Sequence, residues 1–363
     1  MAPTVHVDGH DITLSKLDKE LFPDDRLSKD DLLVHYLAVA GAMVPHLAGR
    51  PLTLLRHPHG IGRDGFFQKD AAGYYPDWVR TIEVPHRRSE GYARYAVCDD
   101  TATLLYLANL ATIEFHVWTA TAADIERPDR LVLDLDPPEG TTVAELRSVA
   151  RRARDLYTEL GLTPYVQATG GRGYHVVAPL DRGRDFKAVR ELAGALAAHL
   201  AADDPERLTT AHRKDKRGDR IFLDANRNGH AQTFIAPYSL RARPGAAVAT
   251  PLDWDELGRS TPNGYSPAAI RRRLARKADP WAGMDRHAAD AGEARARLDA
   301  LRVRLSPNRS HGPCRRLRLG RWTCPDRCWR PPDRCRRRAA GRTSSSGTGS
   351  ASCARPAAGR GAW

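Results

Sequence analysis

The run LVLDLDPP at residues 131–138 constrains this chain more than any other stretch. Apolar residues surround two aspartates set one residue apart, and Pro137-Pro138 then bars a helix and further ladder pairing. A strand ending at Asp136 is expected. Alternate side chains of a strand share a face, so Asp134 and Asp136 point to the same side. Two carboxylates there, with nothing basic between them, repel each other and are costly to bury unpaired. A divalent cation would relieve that cost, and hard oxygen ligands suit Mg²⁺ or Mn²⁺. The competing reading is a strand end whose aspartates cap a turn, since DPPEG is a good turn sequence.

Periodicity supplies the elements around this strand. Helices are expected over 28–48, 141–160 and about 185–202. The first would be capped by Ser28 and carry a stripe of Leu32, Leu33, Tyr36, Leu37 and Ala40. The second would be capped by Thr141 or Thr142 and closed by Gly161. Strand-like runs lie at 131–136, 164–168, 174–178, 221–224 and 232–236. Their alternation predicts a mixed α/β (α+β) domain over 1–305, without internal repeats.

Charge and cysteine content separate that domain from the last stretch of the chain. Residues 309–363 carry fourteen Arg and two Asp with no Lys or Glu, so nearly all of the +13 formal charge sits there. The remainder is close to neutral, and its affinity for polyanions must come from local patches. Beyond Leu305 there is no Ile, Val or Phe, so 306–363 is expected to be an Arg/Pro/Gly/Ser-rich tail, disordered or translated out of frame. Cys324, Cys328 and Cys335 lack a His pair and the usual zinc spacing. Cys98 is the one cysteine of the first 305 residues, which fits a reducing compartment. With no run of eighteen apolar residues and no secretion-signal order at the start, a cytoplasmic location without membrane contact is expected.

Further residues extend the acidic pair into a candidate site. Asp224 ends RIFLDANRN much as Asp136 ends its strand; as a third carboxylate it would complete a two-metal site for phosphoryl transfer, and alone it would cap a turn. QATGGRGYHV places Thr169 to Gly173 in a turn where backbone amides, Arg172 and His175 can approach a phosphate. Arg241 and Arg243 alternate with Leu240 and Ala242, so both guanidinium groups leave one side of an extended segment and suit a triphosphate. Glu114 and His116 share a strand face. Phe66 and Phe67, flanked by Arg63 and Lys69, offer either a stacking platform for bases or a loop anchor.

In order, LDKELFPDDRLSKDDLLVHYLAVA, GRPLTLLRHPHG, GFFQK, RPDRLVLDLDPPEG, GGRGYHV, RIFLDANRN and QTFIAPYSLRARPGAAVATPL resemble the polymerase domain of bacterial ligase D, a branch of the archaeo-eukaryotic primase superfamily. The resemblance runs from about Ile12 to about Met284. It implies a primase-polymerase core of mixed β-sheets flanked by helices. It also implies template-dependent addition of NTPs or dNTPs to DNA 3′ ends and the filling of short gaps in non-homologous end joining. By resemblance, Asp134, Asp136 and Asp224 hold two Mn²⁺ or Mg²⁺ ions, and His116 lies near the reaction centre. Thr169, Arg172, His175, Gln232, Arg241 and Arg243 hold the nucleotide. Lys19 and Lys29 grip a downstream 5′-phosphate, and Phe66, Phe67, Arg56 and Lys69 meet DNA. Thr169 stands where the family usually has Ser, and Lys16 where Asn is common. No ligase-type lysine motif or nuclease histidine cluster is visible, so a stand-alone polymerase module is expected, served by a Ku-like protein and a separate ligase. A dehalogenase-like phosphatase is disfavoured by Pro137-Pro138; a non-catalytic end-binding module is the alternative.

Overall fold

The computed structural model describes residues 2–87 and 90–305; the expected tail over 306–363 lies outside them. Two sheets organise the fold. The larger has six strands in the order Leu208–Thr209, Ile221–Asp224, Arg130–Asp136, Tyr174–Pro179, Tyr165–Ala168 and Thr250–Leu252. All neighbours are antiparallel except the first pair. The smaller places Thr233–Ile235, Thr112–Trp118, Leu52–Arg56 and Phe66–Gln68 side by side, all antiparallel.

Strand parity divides the core. Leu131, Leu133 and Leu135 join Tyr174, Val176 and Ala178 in one cluster, packed by the helices Val143–Glu159 and Phe186–Asp203. Val132 and Val177 belong to the other cluster, with Leu52, Leu54, Ile113 and Phe115 of the smaller sheet and the helices Lys29–Leu47 and Thr101–Asn109. Side chains of even number on the Asp strand therefore face the second sheet. That assigns Asp134 and Asp136 to the side between the sheets.

Helix starts follow the predicted chemistry. Ser28 and Asp31 form a reciprocal capping box, and Thr142 does the same with Glu145, which settles the choice between Thr141 and Thr142. The stripe on the first helix is displaced from the one expected. Leu37 is 51% exposed, whereas Leu32, Leu33, Tyr36 and Ala40 are buried, because the buried arc is centred toward Val39 and Met43, away from Leu37. The strand expected over 232–236 is Thr233–Ile235. Among the described residues no helix is long and apolar enough to cross a membrane.

The Asp strand is anchored at its start by a buried ion pair. Arg50, just past the first helix, donates two bonds to Asp129 at 2.7 and 2.9 Å, and Arg182 donates a third at 3.2 Å. Burial works against the charge on Asp129, but Arg50 first and then Arg130 outweigh it and hold its pKa at about 2. That stabilisation is complete above the ordinary carboxylate pKa and is lost as the pH falls through about 2. Replacing Arg50 by Met removes the two shortest bonds to Asp129 and leaves Arg182 and Arg130. It should therefore cost about 2–3 kcal/mol at pH 7, below the cost of a fully unpaired buried charge, measured by urea unfolding. The deficit should shrink between about pH 4 and pH 2.

Candidate active site and nucleic-acid surface

One row of side chains crosses three strands. Asp134 is register-paired with Asp224 on one side and with His175 on the other, and Asp136 lies two residues further along the same face. Asp224 thus reaches Asp134 through backbone pairing, although 90 residues separate them. Asn228 holds this edge: its amide donates to the Val132 carbonyl at 2.7 Å and its carbonyl accepts from the Val132 amide at 2.8 Å. The ladder therefore continues through a side chain where the Asp224 strand ends.

Cationic groups surround the carboxylates. Arg227 Nε lies 3.2 Å from Asp134 and 3.9 Å from Asp224, and His175 Nε2 lies 3.5 Å from Asp134. Arg217 reaches Asp136 at 3.3 Å while its guanidinium stacks on Phe222, and Arg172 lies 3.8 Å from the other Asp136 oxygen. The two aspartates of one strand consequently differ. Burial raises the Asp134 pKa, but His175 and Arg227 overcome it and hold the group at about 2. Asp136 is raised instead, by burial first and by the neighbouring charge of Asp134, which Arg172 and Arg217 offset only in part. Among the described residues no three His, Cys, Asp or Glu side chains are drawn together as a finished metal-ligand set. The donors are nevertheless of the kind a hard divalent cation takes: carboxylates from two adjacent strands that repel each other when left uncompensated.

The row forms the floor of a cleft of about 370 Å³ walled by Thr169, Arg172, Arg241 and Arg243, with His116 and Phe234 from the smaller sheet. Thr169 Oγ1 donates to the Gly173 carbonyl at 2.8 Å and accepts from the Gly171 amide at 3.2 Å, so its hydroxyl shapes the turn. Gly173 is required by close approach, since a Cβ there would lie 1.9 Å from the Leu135 carbonyl oxygen. Arg241 and Arg243 do face the same cleft, but from a bend rather than an extended segment: the Arg243 amide donates to the Arg241 carbonyl at 2.8 Å. Glu114 fixes this bend. Its carboxylate accepts from the Ala242 amide and from His116, each at 2.9 Å, and pairs with Arg241 at 3.3 Å. Burial would raise the Glu114 pKa, but His116 and Arg241 hold it below the usual range. Burial lowers that of His116, against the pull of Glu114.

Two surfaces flank the cleft. Phe66 and Phe67 are 48% and 59% exposed, a strand pair turned to solvent. Phe67 meets His116 edge-on at 5.7 Å, and Arg56 lies over Phe66 while donating to Gln68 and Tyr74. Lys69 is exposed beside them. On the other flank Lys16, Lys19 and Lys29 cluster. Lys29 is buried, donating from Nζ to the Ser15 carbonyl and hydroxyl, and its pKa falls to about 8, by burial first and then by the charges of Lys16 and Lys19. Such a crowded trio favours an anion.

Gln232 does not join the cleft. The chain turns at Ala231, whose φ is +60°, and Gln232 instead borders a separate hollow with His86, Arg87 and Arg190. Arg217, Arg227 and Lys214 also line the cleft; Arg227 stands in RIFLDANRN beside the expected ligand Asp224, and Lys214 and Arg217 fall outside the sequence motifs. The available signal is their clustering just before and after the Asp224 strand. Glu114 is legible only as a strand-face neighbour of His116.

Residues 28–281 match the family model of the LigD primase-polymerase domain. The chain belongs to that family. The multifunctional non-homologous end joining DNA repair protein LigD of Mycobacterium tuberculosis is 35% identical over 282 residues, 76% of this chain and 37% of that protein. The multifunctional LigD of Pseudomonas aeruginosa is 32% identical, over 75% of this chain and 32% of the relative. The bifunctional LigD of Bacillus subtilis is 29% identical, over 77% and 45%. The chain thus spans less than half the length of these relatives. Among solved structures, the polymerase domain from Mycobacterium tuberculosis ligase D in complex with DNA superposes with a TM-score of 0.71 at 34% identity, covering 76% of this chain and 99% of that one. The mixed α/β core is the LigD polymerase fold, and the chain is a nucleotidyltransferase by family.

A raised carboxyl pKa means that the folded LigD-type core disfavours the charge on Asp136. Asp136→Asn should therefore raise the melting temperature at pH 7 in metal-free buffer. The gain should vanish below the ordinary carboxylate pKa, where the wild-type group is protonated in both states; calorimetry at the two pH values measures it.

Proposed function

We propose that this chain adds nucleotides to DNA 3′ ends, copying a template across short gaps during non-homologous end joining. The observation that carries the reading is the row His175–Asp134–Asp224 with Asp136 beside it, set in a cleft whose walls are arginines. When bound at Asp134, Asp136 and Asp224, a pair of divalent ions such as Mn²⁺ or Mg²⁺ supplies Lewis acidity to a 3′-hydroxyl and an α-phosphate.

The chain's own residues do the rest. Arg172, Arg241 and Arg243 neutralise the triphosphate, with Glu114 holding Arg241 in place and His175 orienting Asp134. Arg217 and Arg227 balance the carboxylates before substrate arrives and have to yield as it enters. Phe66 and Phe67 stack on template bases, and Lys16, Lys19 and Lys29 receive the 5′-phosphate across the gap. A preference for ribonucleotides and Mn²⁺, a Ku-like partner with a separate ligase, and a place on the bacterial nucleoid in the cytoplasm belong to the same reading.

Primer extension on gapped DNA tests it. Asp136→Ala should lower incorporation by at least about a hundredfold, as loss of a group acting on the transition state does. Its binding to 5′-phosphorylated gapped DNA should persist. Lys29→Ala should weaken that binding and reduce the slope of log K against log salt by about 1. Extension by Asp136→Ala at the wild-type rate would sink the assignment.

A further inference from the structure

One short hairpin touches both phosphate-handling groups. Its strands, Glu20–Phe22 and Leu27–Ser28, open onto Lys19 and Lys29, whose backbones are joined by the Lys29 amide donating to the Lys19 carbonyl at 2.8 Å. Its closed end carries Asp25, whose carboxylate accepts from the Gly245 amide at 2.7 Å, 220 residues away in the chain. Gly245, at φ +88°, belongs to the turn that presents Arg241 and Arg243 to the cleft. Glu114 fixes the start of that turn at Arg241 and Ala242. Among the described residues, Asp25 is the one side chain that hydrogen-bonds the stretch 243–246.

The junction behind this bond is not filled. A cavity of about 270 Å³ lies beside Asp25 and Gly245, lined by Phe22, Leu27 and Leu240, which otherwise share one apolar cluster, so the carboxylate is the polar link between hairpin and turn. A phosphate bound among Lys16, Lys19 and Lys29 would relieve their mutual repulsion and draw the open end of the hairpin together. The hairpin is short, and its tip holds the arginine turn.

We propose that Asp25 is a positioning residue that couples the two sites, so that a 5′-phosphate in the lysine pocket strengthens nucleotide binding at Arg241 and Arg243. This rests on the function proposed above. Coupling between two binding sites is reciprocal and is measured as a ratio of affinities, free of the chemical step.

The full chain with Mn²⁺ is titrated with the template-complementary ribonucleoside triphosphate on gapped DNA whose primer ends in a 3′-deoxy sugar. The downstream strand carries either a 5′-phosphate or a 5′-hydroxyl. Wild type should bind nucleotide about fivefold more tightly on the phosphorylated gap, within the range of ordinary couplings. Asp25→Ala should bring that ratio to about one while its affinity for the phosphorylated gap, without nucleotide, stays within about twofold of wild type. Asp25→Asn, which keeps a carbonyl acceptor, should restore part of the ratio, as simple loss of folding would not. An unchanged ratio in Asp25→Ala, or a wild-type ratio of one, overturns the coupling and leaves the polymerase reading standing. A wild-type chain that binds no nucleotide on either gap, or that is indifferent to the 5′-phosphate in DNA binding, removes both.

Discussion

Repulsion among three carboxylates on one sheet face is the constraint to which the rest of the site answers. Asp134 and Asp224 are direct cross-strand partners and Asp136 is the next residue on that face. Like charges directly opposite destabilise a sheet. The fold keeps them because His175 and three arginines, Arg172 from the hairpin turn and Arg217 and Arg227 from the loops on either side of the Asp224 strand, stand around them. The compensation is uneven. Asp134, next to His175 and Arg227, holds its proton weakly, whereas Asp136 holds one more firmly than a free carboxyl. Two groups on one strand thus acquire different electrostatic characters from their neighbours alone.

The same economy of local charge governs the phosphate-binding surfaces. Outside the arginine-rich last residues the chain is nearly neutral, so attraction for nucleic acid has to be concentrated. It is concentrated in the cleft arginines and in the buried Lys29 with its two neighbours. Glu114 shows how such concentration is made tolerable. A single buried carboxylate fixes the backbone of the arginine bend, pairs with Arg241 and orients His116, which in turn meets the exposed Phe67.

Membership of the LigD primase-polymerase family rests on a stretch that covers most of this chain but less than half of its curated relatives. Thr169 uses its hydroxyl inside the turn that Gly173 makes possible. The glycines of this hairpin answer to backbone contact with Leu135 and to the Arg241 side chain, which is why a Gly-rich turn alone says little about phosphate.

What the sequence determined by itself was whatever depends on near neighbours in the chain. Strand parity put Asp134 and Asp136 on one face, Ser28 started its helix, and the second helix start was narrowed to Thr141 or Thr142, of which the structure uses Thr142. His116 and Glu114 were legible as a pair for the same reason, being two residues apart on a strand. Residues whose roles depend on loop paths were not. Arg217 looks like any of the chain's many arginines, and Arg227 only like a neighbour of Asp224, until the loops fold back on the carboxylates. Gln232 is carried out of the cleft by a turn at Ala231 that periodicity does not register. Only the tertiary structure set Asp224 opposite Asp134 and aimed both into the space between two sheets, because strand pairing across 90 residues is decided by which faces can be buried together and not by any local preference.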